Sequence, residues 1–170
     1  MKKILLLAFM IIANLAFSQK VTFKIIKDKT EVDNIGAIIL HVEVINKSKN
    51  DITILKPATD FNQKWRYYDV EIDCSNIPLW SAGDQEMIDY EESDLLVIPA
   101  KSKVEIIING RKNANMLACD SRTFQLKLFY DAKELINRTE TGNLNSDEIQ
   151  VVKKLTPIRI ESKKTSIVMN

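Results

Sequence analysis

The sequence predicts an all-β protein: a single antiparallel two-sheet sandwich with about seven to nine strands and at most one short helix. Three observations carry that reading. Apolar and polar residues alternate with period two over most of the chain, the pattern of a strand with one buried face. The alternating positions are rich in Val, Ile, Phe and Tyr, whose branched or aromatic side chains suit a pleated surface. Clusters of Asn, Ser, Asp, Lys and Pro divide the runs, so the chain reverses often, as antiparallel strands require.

Taken in order, Val21, Phe23 and Ile25 alternate with Thr22, Lys24 and Ile26. Ile38, Leu40, Val42 and Val44 alternate with His41 and Glu43, while Ile39 and Ile45 make that strand partly apolar on both faces. The turn-forming run 46–51 leads to a short apolar strand, Ile52–Leu55. A strand over Arg66–Asp73 places Tyr68, Val70, Ile72 and Cys74 opposite in sense to Tyr67, Asp69, Glu71 and Asp73. Leu95–Ile98, a Pro99–Ser102 turn, and Val104, Ile106 and Ile108 form a strand–turn–strand unit that ends at the turn signal Asn109-Gly110. Phe124, Leu126, Leu128 and Tyr130 mark a strand over Arg122–Tyr130. Ile158 with Ile160, and Ile167–Met169, supply the last strands. The one helical stretch begins at Ser146 as cap, with Asp147 and Glu148 in the first turn and Pro157 beyond its end. Asp131–Thr156 is otherwise the longest stretch without strand patterning, and it reads either as a binding loop or as a mobile insertion.

The first residues have the order of an export signal: Lys2 and Lys3, an apolar run over Ile4–Leu15, then Ala16 and Ser18 at the positions read by a signal peptidase. Cleavage before Gln19 divides the chain into a leader, 1–18, and one domain, 19–170, of about 150 residues, enough to bury a core without a metal. The expected location is secreted or periplasmic. The apolar run is short for a bilayer, so no membrane span is expected. Gln19 follows the cut where a lipid anchor requires cysteine, so no lipid anchor is expected.

Lys and Arg total 24 against 23 Asp and Glu, and the leader removes only lysines, so the domain is close to neutral. That balance argues against nucleic acid and anionic membranes as partners. His41 is the only histidine, so a zinc site is not expected, and no glycine loop or nucleophile elbow occurs. No cofactor is implied and no enzyme is predicted; His41 reads as a structural residue beside Glu43. Export implies an oxidising compartment in which Cys74 and Cys119 pair, the alternative being two free buried thiols.

Four stretches resemble the immunoglobulin-like or fibronectin type III-like sandwiches of exported bacterial proteins. They are 40–48, closed by an Asn-x-Ser turn; 96–104, a strand, Pro turn and strand; 124–131; and 160–162 with the closing strand. The tryptophan that antibody domains place between paired cysteines is missing. The resemblance implies the fold and a binding or accessory role, with no functional residue to transfer. It also implies that Arg66–Asp73 and Arg122–Tyr130 are antiparallel neighbours, which brings Cys74 toward Cys119, Tyr67 toward Phe129 and Asp69 toward Lys127. A disulfide closing that loop would contribute roughly 4 kcal/mol in the chain-entropy account.

Two further clusters are candidate sites. Asp84, Glu86, Asp89, Glu91, Glu92 and Asp94 crowd one segment without a basic residue. Hard carboxylate oxygens suit Ca²⁺, but the spacing fits no calcium loop, and a solvated acidic loop facing Arg111 and Lys112 is the simpler reading. Phe61, Trp65, Tyr67 and Tyr68 form an aromatic group in which Tyr68 reads as core. Trp65 and Tyr67 face outward, either stacking on a ligand such as a sugar or forming cross-strand pairs. Trp80 reads as a plug at one end of the sandwich. The functional expectation is a non-catalytic module that binds a protein or glycan. The alternatives are a secreted hydrolase using the acidic segment with a metal, or an inhibitor of an extracellular protease.

Overall fold

Two long strands organise the chain. The computed structural model describes residues 20–32, 37–57, 68–73, 90–111, 122–139 and 144–168. Outside the described residues lie the proposed leader, Phe61, Trp65, Tyr67, Cys74, Trp80, Asp84, Glu86, Asp89, Lys112 and Cys119. The strands are β1 (Val21–Ile25), β2 (Glu31–Val32), β3 (Ala37–Asn46), β4 (Ile52–Leu55), β5 (Tyr68–Asp73), β6 (Leu95–Ile98), β7 (Lys103–Arg111), β8 (Thr123–Asp131), β9 (Arg159–Glu161) and β10 (Thr165–Val168). Helices α1 (Ala132–Arg138) and α2 (Ser146–Val152) lie between β8 and β9.

The protein is mostly β, and the named strands all pair antiparallel. In the first sheet β3 is central, with β7 along one side and β1 followed by β2 along the other. In the second sheet β8 is central, with β5 on one side and β9 followed by β10 on the other. Each central strand is thus flanked by one continuous strand and one edge split in two. β4 and β6 form a separate two-stranded ladder.

The alternation in the sequence becomes the core. Phe23, Ile25, Ile38, Leu40, Val42, Val44, Ile106 and Ile108 of the first sheet share one buried cluster with Tyr68, Val70, Leu126, Leu128, Tyr130 and Ile160 of the second. Phe23 and Tyr68 touch across the sheets, with ring centroids 6.0 Å apart. Each large side chain so buried contributes roughly 1.5–3 kcal/mol relative to exposure.

β4 is held to the second sheet by side chains. Lys56 N–H donates to Asp94 C=O, so alternation along the antiparallel ladder leaves Thr53 and Leu55 with backbone groups facing away from β6. Tyr130 Oη accepts from Leu55 N–H at 3.0 Å, and Tyr68 Oη donates to Leu55 C=O at 2.6 Å. Thr156 does the same for Thr53: its Oγ1 accepts from Thr53 N–H, and its own N–H donates to Thr53 C=O, both at 2.9 Å. Two tyrosines and a threonine therefore replace a missing neighbour strand. Burial pushes the Tyr130 phenol far above its usual range, so it stays protonated.

The segment between β8 and β9 corrects the sequence reading. Beyond Asp131 its described parts form no strand, as the patterning predicts, but they are not a loose insertion, because Ala132, Leu135, Val152 and Leu155 are core residues. α1 is a second helix where at most one was expected. Asp131 ends β8 and caps α1, accepting from the N–H groups of Lys133 and Glu134. Two turns supply too few apolar positions for the helical period to stand out against the alternation before it. α2 falls where expected, but its cap is Asn145, one residue before Ser146, in a reciprocal capping box with Glu148.

Two pairings also differ. Asp69 lies opposite Phe129, and Glu71 opposite Lys127, a shift of two residues from the expected Asp69–Lys127 register. A two-residue slip keeps every side chain on the same face, so alternation does not detect it. Tyr68 faces Tyr130 directly, with rings 4.8 Å apart, because both hydroxyls must reach Leu55. Asn109-Gly110 is not a turn: both residues continue β7, opposite Ile39 and Ile38.

Candidate functional site: the cleft between the split edges

The split edges of the two sheets meet. Ile26 N–H donates to His41 C=O, and Lys47 N–H to Lys20 C=O. Alternation therefore turns the backbone groups of Thr22 and Lys24 toward β3 and those of Val21, Phe23 and Ile25 toward the second sheet. There Phe23 forms a parallel β-bridge with Ser162.

Ser162 sits at a bulge. β9 places Glu161 opposite Phe129, whereas β10 places Thr165 opposite Leu126, so 162–164 face only two residues of β8. The ladder survives through a side chain. Ser162 N–H donates to Leu128 C=O, and Ser162 Oγ, in place of a backbone carbonyl, accepts from Leu128 N–H, each at 2.9 Å. The same hydroxyl donates to Lys163 C=O, and Ser162 is 6% exposed. The extra residue carries Lys163 and Lys164 out beside the end of β1.

Around this junction is a cleft of about 900 Å³ whose lining includes Lys24, Lys47, Lys127, Lys163 and Lys164, with Glu161 the only acid among the lining residues. Lys24 reaches Glu43 at 3.6 Å and Lys127 reaches Glu161 at 2.8 Å. No ion pair joins Lys47 or Lys163 to another described residue. The hydrogen bond from Lys127, and then that from Arg159, hold the Glu161 carboxyl below the usual carboxylate range. The chain is near neutrality, so this is local concentration of one charge sign. Phe23 and Ile25 lie at the base with their side chains in the core, and Ile45 is half-buried on the wall.

The outer faces beside the cleft are charge-paired. Glu43 and Glu105 lie directly opposite each other on β3 and β7, an unfavourable juxtaposition unless cations bracket it. Lys103 approaches Glu43 at 2.6 Å, and Lys29 approaches Glu105 at 2.9 Å. These hydrogen bonds hold both carboxyls below their usual range. His41 lies with its Nδ1 2.8 Å from a carboxylate oxygen of Glu105. On the second sheet, Lys127 Nζ and the Arg159 guanidinium lie 4.5 and 5.5 Å from the Phe129 ring centre. Asp69 has its carboxyl raised, first by desolvation and then by the Glu134 charge, against a lowering hydrogen bond from Val70 N–H.

Of the acidic cluster singled out from sequence, Glu91, Glu92 and Asp94 are described. Glu91 and Asp94 close a short 3₁₀ turn as a reciprocal cap, and Glu92 pairs with Lys154. Among the described residues no three His, Cys, Asp or Glu gather as metal ligands, and no helix is long and apolar enough to cross a membrane. The lysine cleft had no counterpart in the sequence reading. Its only local signal is the pair Lys163-Lys164, which looks like an ordinary polar turn. No protein-family model matches the chain, and no curated protein is similar to it.

Proposed function

We propose that this chain is an exported, non-catalytic binding or accessory module of immunoglobulin-like architecture, which meets a protein or glycan partner along the cleft between its split edges. The architecture is supported by strand order. β1/β2–β3–β7 and β5–β8–β9/β10 follow the pairing order of the A, B and E strands and of the C, F and G strands in such sandwiches. β6 departs from that order, since it pairs with β4 and not with β7. The lysine-rich cleft is the single observation that carries the binding reading, because it gathers one sign of charge from four separate stretches of a near-neutral chain.

Amide chemical shifts of the 19–170 chain, followed during titration with panels of anionic and neutral peptides and oligosaccharides, test this. Saturable shifts confined to 21–25, 45–47 and 161–165 are expected for at least one anionic class. Shifts centred elsewhere, or none at millimolar ligand, would refute the assignment.

A further inference from the structure

We infer that the outer edge of β7 is a self-pairing surface, through which two copies of this chain join their first sheets into one antiparallel sheet. The direction of the backbone bonds carries the first part. Asn46 N–H donates to Ser102 C=O, one step beyond the β3–β7 ladder. Alternation from that bond turns the peptide groups of Val104, Ile106 and Ile108 toward β3, and those of Lys103, Glu105, Ile107 and Asn109 away from it. Among the described residues none hydrogen-bonds to those outward groups, and β7 pairs with β3 alone.

Elsewhere the chain blunts its edges. The hydroxyls of Tyr68, Tyr130 and Thr156 close β4. β1 is bridged to Ser162. On β5, Val70 N–H points away from β8 and is taken at 2.8 Å by the carboxylate of its neighbour Asp69. β2, β6 and β10 are only two to four residues long. β7 has none of these devices: it runs for nine residues, and Ile107 on its outer face is 48% exposed.

Symmetry and charge select a second copy over a foreign strand. Ile107 is the midpoint of Lys103–Arg111, and its peptide group is one of those facing out. A two-fold axis at Ile107 therefore sets Ile107 against Ile107, and Glu105 of each copy against Asn109 of the other. Outward peptides meet outward peptides, for about six backbone hydrogen bonds over Glu105–Asn109, and the exposed isoleucines cover each other. The charges on this face are already answered within the chain. Glu105 is met by Lys29 at 2.9 Å and His41 at 2.8 Å, and Lys103 by Glu43 at 2.6 Å. The face thus offers no uncompensated charge to attract an oppositely charged partner or to repel its own image. At the ends of the ladder Lys103 falls opposite Arg111, and Glu43 offsets that like-charge contact. β1 and its cleft lie on the other side of β3, so the pairing leaves them uncovered.

Sedimentation of the 19–170 chain from micromolar to millimolar concentration, with amide hydrogen exchange at both extremes, tests this. A reversible monomer–dimer equilibrium is expected. Exchange at Glu105, Ile107 and Asn109 should slow as concentration rises, while Val104, Ile106 and Ile108, bonded to β3 in either state, change little. Ile107→Lys sets two ammonium groups against each other at the axis and should weaken the dimer about tenfold or more. Val168→Lys removes an equally exposed residue, 50% accessible on β10, and should leave the dimer unchanged. Both positions are exposed, so thermal melts followed by circular dichroism should show both variants folded; the exchange pattern of the unsubstituted chain tests the pairing without them.

A monomer at every concentration would overturn the inference. So would a dimer indifferent to Ile107→Lys, one weakened equally by Val168→Lys, or one that forms without slowing exchange at Glu105, Ile107 and Asn109.

Discussion

Replacing Tyr130 with Phe removes one oxygen atom from a fully buried position and leaves the Leu55 amide without its acceptor. The cost follows from the ladder. Leu55 is in a non-hydrogen-bonded pair with Leu95, so its N–H cannot fall back on β6. Leu55 and Tyr130 are both 0% exposed, so water does not substitute without opening the core. A buried donor stripped of its partner costs about 1–3 kcal/mol, and the small void adds little. For a domain of this size that is a fall of roughly 2–4 °C in Tm for each kcal/mol. Tyr68→Phe should cost less, near 1 kcal/mol, because the carbonyl it abandons is an acceptor, and under-satisfied carbonyls are better tolerated than orphaned amides. Urea unfolding of wild type, Y130F and Y68F measures both, and native-state hydrogen exchange at Leu55 reports the site itself. Y130F should lower the denaturation midpoint with unchanged slope and accelerate exchange at Leu55. A Y130F midpoint within error of wild type, with Leu55 still protected, would refute the view that tyrosine hydroxyls stand in for a strand.

Other outcomes follow from the same structure. Ser162→Ala should destabilise by about 1–2 kcal/mol, since Leu128 N–H loses the hydroxyl that completes its ladder; an unchanged urea midpoint would show that another acceptor takes over. Glu43 and Glu105 have folded pKa values below their unfolded ones, so their contribution is full above the ordinary carboxylate range and is lost as pH falls through the lowered values. Glu43→Gln/Glu105→Gln should therefore flatten the acid side of the stability profile, most visibly at low salt, and a profile identical to wild type would contradict this. Asp69 has the opposite sign. Its raised pKa favours folding below the unfolded value, and that advantage disappears as pH rises through the folded value. Asp69→Asn, which keeps an oxygen for Val70 N–H, should gain stability at neutral pH but not at pH 3; a loss at neutral pH would refute the desolvation argument.

The core was legible because burial and alternation are the same fact in a strand. Leu40, Val42, Leu126 and Leu128 were assigned inward from spacing alone, and all four are fully buried. The limits were equally physical. The register of β5 against β8 escaped by two residues because such a shift preserves both faces. α1 escaped because seven residues hold too few periods. Asn109-Gly110 favours turns in isolation, yet it continues β7 because pairing with Ile39 and Ile38 outweighs a local preference.

Which side chains lie inward along each strand is dictated by the sequence itself, since neighbouring residues must point to opposite sides of a pleated ribbon and only one side can be dry. Where the lysines gather was decided by tertiary structure alone. Lys24, Lys47, Lys127 and the Lys163-Lys164 pair are scattered along the chain, and each is an unremarkable solvated residue in its own stretch. They become one site because β1 bridges, at Phe23, to the bulge between β9 and β10, and that contact joins residues more than a hundred positions apart, a distance over which no sequence period operates.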